Sequence, residues 1–144
     1  MIATPPPSQP ELVIVSAILF SPEEERPRII TVNCQPTRTP SQGICPTPIV
    51  QQYFPGSQTG SIVLTQGLNG EPLRFPLHVW YSPVALSTGS PVNQAIYRIT
   101  SGAAAKPWCG PVIVLKFNGS RRQAYSDAGS NDLPALSAYF LAYK

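Results

Sequence analysis

Apolar residues fall in short alternating or continuous stretches along most of the chain, and only the C-terminal end carries a clear helical period. Leu12 to Phe20 is apolar at both parities except for Ser16, the pattern of a strand covered on both faces, which predicts a central place in a sheet. After Pro22, the acidic triplet Glu23-Glu24-Glu25 and Pro27, the residues Ile30, Val32 and Cys34 alternate with Thr31 and Asn33, so Arg28 to Cys34 reads as the returning arm of a wide hairpin. Ser61 to Gln66 is a further strand, turned by Asn69-Gly70 into Leu73 to Tyr81. That segment puts Leu73, Phe75, Leu77, Val79 and Tyr81 on one face and Arg74, His78 and Trp80 on the other. Pro72 and Pro76 cannot donate ladder hydrogen bonds, which predicts that this strand lies at an edge. Gln94 to Thr100 alternates as well, with Ala95, Tyr97 and Ile99 inward.

Val112 to Phe117 is β-branched and apolar, and Asn118-Gly119 after it suits a two-residue hairpin turn that brings Ser120 to Tyr125 back as the partner strand. Beyond it Asp132 can cap a helix that tolerates Pro134 in its first turn, with Leu133, Leu136, Phe140 and Tyr143 on one face. Gln35 to Pro48, rich in Pro, Thr, Ser, Gln and Gly, shows no period and reads as the longest loop. Ile49, Val50, Tyr53 and Phe54 after it fit either a helical turn or a strand. The fold class these elements predict is mainly β (α+β): an antiparallel β-sandwich or partly open barrel of about seven short strands with one C-terminal helix.

Length changes the picture little: 144 residues suit one β-rich domain over 11–144 behind a proline-rich lead, 1–10, that extends as polyproline II. Charged residues make up 12% of the chain, about half the usual share, and 18 residues are proline, which predicts a loop-rich fold whose weakly charged surface meets partners. The net charge of +3 permits an anionic partner, yet the basic residues form no tail. The apolar run at Leu12 lacks a basic flank and is too short to cross a membrane, so the expected setting is intracellular, with Cys34, Cys45 and Cys109 as reduced thiols and no membrane partner.

Candidate chemistry is sparse. Trp108-Cys109-Gly110-Pro111 resembles the first four residues of the thioredoxin active-site motif, but Val112 stands where the resolving cysteine would be and a strand follows in place of a helix, so Cys109 reads as an inert structural thiol. The three cysteines and His78 lack the close pairing of zinc ligands, and no carboxylate is placed to orient His78 as a base, which predicts no metal and no cofactor. An enzyme centred on Cys109 or His78 is the least favoured reading. Arg121-Arg122 at the predicted hairpin tip, near Lys116 and Tyr125, forms the densest basic patch and suits a nucleic-acid contact as readily as a solvated strand end. The stripe Arg74, His78 and Trp80 is either a contact surface for another chain or a face covered by a second layer of the fold. The expected function is a protein-binding or self-assembly module, a homodimer being the simplest form, with nucleic-acid binding through Arg121 and Arg122 as the alternative.

Overall fold

Among the described residues of the computed structural model, seven strands and two α-helices follow one another: β1 (Val13–Phe20), β2 (Arg28–Thr39), β3 (Gly43–Pro48), β4 (Gly60–Gln66), β5 (Pro72–Tyr81), α1 (Gln94–Ile99), β6 (Val112–Phe117), β7 (Tyr125–Ser126) and α2 (Leu133–Ala142). The structure describes residues 13–39, 43–54, 59–67, 70–85, 89–104, 108–118 and 125–142, with the backbone alone for Val13, 35–39 and 43–47. The predicted lead at 1–10 and Tyr143 lie outside the described residues. One antiparallel sheet runs in the order β3-β2-β1-β6-β5-β4, with β7 also paired to β6, and β3 and β4 end it without meeting, so it is not closed into a barrel. The mainly β class with a C-terminal helix is as expected. No helix among the described residues is long and apolar enough to cross a membrane.

β1 is central, as its apolar run predicts: it pairs with β2 from Val13 opposite Cys34 to Leu19 opposite Arg28, and with β6 over Ile18–Phe20. Toward its N-terminal end β7 takes over, pairing with Lys116 and Phe117 of β6 while the Ala128 N–H donates to the Ser16 carbonyl.

Four expectations are corrected by the pairing. Gln35 to Pro48 is no loop, because β2 continues to Thr39 and β3 returns along it from Gly43. The Ile49 N–H donates to the Asn33 carbonyl at 2.8 Å, so odd-numbered residues of β3 aim their N–H groups at β2 and even-numbered ones aim theirs outward. Pro46 and Pro48 therefore lack only outward donors, and Pro36 stands beyond the last β1 pair, so these prolines cost the ladder nothing. β5 is no edge strand either, since it lies between β4 and β6. Its ladder with β6 stops at Leu77 opposite Lys116, just short of Pro76, and its register with β4 shifts between the Leu64–Leu77 and Gln66–Pro72 pairs. The prolines mark where a ladder ends.

Gln94–Ile99 is a helix. Asn93 precedes it with extended backbone angles and its Oδ1 accepts from the Ile96 N–H at 3.0 Å, a side-chain cap that the alternation of Ala95, Tyr97 and Ile99 concealed. Ala95 and Ile96 are buried and Tyr97 is exposed. Finally, Phe117 pairs with Tyr125 and not with Ser120, so Asn118-Gly119 does not close a two-residue hairpin, and 119–124 lie outside the described residues.

Strand alternation divides the core between two faces. On one, Ile18, Phe20, Leu77, Val79, Val112 and Val114 pack against Ala95 and Ile96 of α1 and Leu136 and Phe140 of α2. The Phe140 ring meets Phe20 edge-on at 5.1 Å and Trp108 at 4.9 Å. On the other face, Val15, Ala17, Leu19, Val32, Cys34, Ile113, Leu115 and Phe117 are capped by Val50 and Phe54, which flank a 3-10 turn at Gln51–Tyr53.

Candidate protein-contact edge and the predicted site residues

The two edges of the sheet are built from different residues. β3, GICPTP, carries prolines at two of its outward positions, so an added strand would find acceptors there without matching donors. β4, GSIVLTQ, holds neither a proline nor a charge. β-Branched and aliphatic side chains form it: Ile62 and Leu64 pack toward the helix-bearing face and Val63 toward the other, each half-buried, while Ser61 and Thr65 are exposed.

The outward groups of β4 can be assigned by counting registers. Because the Ala128 N–H donates to the Ser16 carbonyl, even residues of β1 face β6 and β7. Carried through the β1–β6, β6–β5 and β5–β4 pairs, the alternation leaves Ser61 and Val63 with N–H and C=O aimed away from β5. Among the described residues nothing bonds to this side of β4. Beside it, Thr59 Oγ1, Trp80 Nε1 and Ser82 Oγ are buried and have no hydrogen-bond partner among the described residues. Trp80 pairs with Ser61, so these three groups gather where β4 begins and β5 ends.

Of the predicted contact stripe, the structure brings His78 and Trp80 together and leaves Arg74 apart. The His78 ring lies 4.6 Å from Trp80 and stacks on Phe117 at 5.2 Å, and its Nδ1 is 2.6 Å from the Tyr125 hydroxyl. Both side chains are half-buried within the second face of the core, where Trp80 packs with Val63 against the buried cluster. The cover on this face comes from the Val50–Phe54 turn, whereas α2 lies on the opposite side. Arg74 is exposed, its guanidinium 5.5 Å over the Phe75 ring. Arg121 and Arg122 lie outside the described residues. Their expected neighbours are engaged within the fold: Lys116 pairs with Asp132 at 3.3 Å, and Tyr125 is buried against His78 and Phe117.

Cys109 is half-buried, and its backbone bridges to Val92. Gly110 follows with φ +76°, the left-handed turn that redirects the chain into β6. The tetrapeptide thus leads into a strand and not into a helix. Cys34 is fully buried, and burial pushes its thiol up to about 11. Among the described residues no group of three His, Cys, Asp or Glu gathers as metal ligands.

The polar residue that sequence reasoning missed is Asn93. It is fully buried, its Nδ2 donates to the carbonyls of Phe20 at 2.7 Å and Gly110 at 2.8 Å, and its own N–H donates to the Trp108 carbonyl at 2.7 Å. It ties the end of β1, the start of α1 and the approach to β6 to one side chain, and the signal that marks it as a helix cap is an Asn just before Ala95, Ile96 and Ile99 at helical spacing. Compared with protein-family models, with curated proteins and with solved structures, the chain matches none.

Proposed function

We propose that the chain is a non-catalytic protein-binding or self-assembly module that works inside the cell and makes its contact along β4. The observation that carries this reading is the asymmetry of the two edges: prolines occupy outward positions of β3, whereas β4 has neither proline nor charge to repel a strand and presents N–H and C=O groups to which nothing among the described residues bonds. An edge of that kind binds an extended chain by adding it to the sheet, main-chain hydrogen bonds supplying affinity and alternate side chains supplying selectivity. His78 and Trp80 lie one strand in from the edge and hold β5 against the core behind it.

Sedimentation of the purified full chain across a concentration series tests the reading, with Ser61→Pro as the comparison, since that substitution deletes an outward donor and leaves the buried residues unchanged. The parent is expected to associate and the variant to stay monomeric at an unchanged melting temperature. A parent that stays monomeric and instead shifts with generic RNA or DNA in a salt-dependent way would move the function to nucleic-acid binding through Arg121 and Arg122.

A further inference from the structure

We infer that the strand added at β4 is β4 of a second copy, paired antiparallel about a two-fold axis through Val63; this rests on the reading of β4 as the contact edge. The segment Ser61-Ile62-Val63-Leu64-Thr65 is chemically symmetric about its centre. Placed antiparallel to itself with Val63 opposite Val63 of the other copy, it sets Ile62 against Leu64 and Ser61 against Thr65. Aliphatic side chains meet aliphatic ones and hydroxyls meet hydroxyls, both of which are favourable cross-strand pairs. No charge opposes a like charge, because the segment has none.

The faces agree as well. A two-fold axis normal to the sheet reverses the strand direction without exchanging the faces, so the interface is isologous and each helix-bearing face continues into the other. Ile62 and Leu64, half-buried against the helix-side core, would then bury their remaining surface on Leu64 and Ile62 of the second copy. Val63, half-buried on the other face, would meet its own equivalent. The outward N–H and C=O of Val63 form a reciprocal pair on the axis, and the register shift after Leu64 limits the ladder to this short segment. β3 offers no such register, since Pro46 and Pro48 remove the outward donors a second copy would need.

Cysteine scanning under mild oxidation tests the register. Residues facing each other across an antiparallel pair have Cα atoms about 5.5 Å apart or closer, within the span of a disulfide. Val63→Cys is therefore expected to form a disulfide-linked dimer, while Ser61→Cys alone does not, its equivalents being displaced by roughly 13 Å along the strands. Ser61→Cys mixed with Thr65→Cys is expected to link as a heterodimer. The parent chain, with its native thiols, gives the background. If sedimentation shows association but Val63→Cys stays unlinked, the copies meet through another surface and this inference falls while the self-assembly reading stands. If the parent is monomeric throughout and Val63→Cys stays reduced, both fall.

Discussion

The two faces of the sheet are of similar chemical make-up but are covered in different ways. One is clad by two helices, held by a fully buried asparagine and by the edge-on contacts of Phe140 with Phe20 and Trp108. The other is closed by the Val50–Phe54 turn and by side chains of the sheet itself, His78 lying against Trp80, Phe117 and Tyr125. The two helices together bury Ala95, Ile96, Leu136 and Phe140 on their face, whereas the turn buries Val50 and Phe54 on the other. Removal of one large side chain should therefore be felt most on the helix side.

The largest effect is expected from Phe140→Ala. Phe140 is fully buried and anchors α2 to β1 and Trp108, so truncation should cost about 3–5 kcal/mol in urea unfolding, a large part of a small domain's stability. A variant that unfolds at the parent's midpoint would show that α2 contributes little to this face.

Next is Asn93. Asn93→Ala leaves the Ile96 N–H and the Phe20 and Gly110 carbonyls without this partner, and buried groups left in that state should lower stability by about 3 kcal/mol. Asn93→Asp separates the two tasks of the side chain. A carboxylate still caps the Ile96 N–H but cannot donate to either carbonyl. It is expected to be nearly as damaging as Ala. An Asp variant as stable as the parent would reduce Asn93 to a helix cap and remove it as the tie between β1 and the approach to β6.

Much of the helix-clad face was legible in the chain, because Leu136 and Phe140 recur at helical spacing and the parity of Leu77 and Val79 in β5 is unbroken. α1 was not. Over six residues Ala95, Tyr97 and Ile99 fit a strand and Ala95, Ile96 and Ile99 fit a helix, so the Asn93 cap decides where periodicity cannot. For the proposed contact edge, Ser61 to Gln66 holds no charge and no proline in the sequence, but its position at an edge was not legible, because strand order depends on pairings between distant residues. The prolines of β5 suggested the wrong edge. A proline reports a missing donor, and that is equally well tolerated where a ladder stops, as at Pro76, or where an N–H would point outward, as at Pro46.

The smallest effect tests how well the turn seals its face. Cys34 lies beneath that cover with Val50 and Phe54 in the same cluster, and burial raises its thiol from 9.0 to about 11. The folded value exceeds the unfolded one, so the neutral, buried thiol contributes its stability fully below about pH 9, and the contribution is lost as pH rises through about 11. In a Cys45→Ser, Cys109→Ser background, thiolate absorbance and alkylation rate followed against pH should both stay low until well above 9, the value expected of an exposed thiol. Phe54→Ala in the same background should bring the titration back toward 9, because the ring that helps exclude water from the face is gone. If the thiol already titrates near 9 in the presence of Phe54, the turn admits water and the second face is open where the first is sealed.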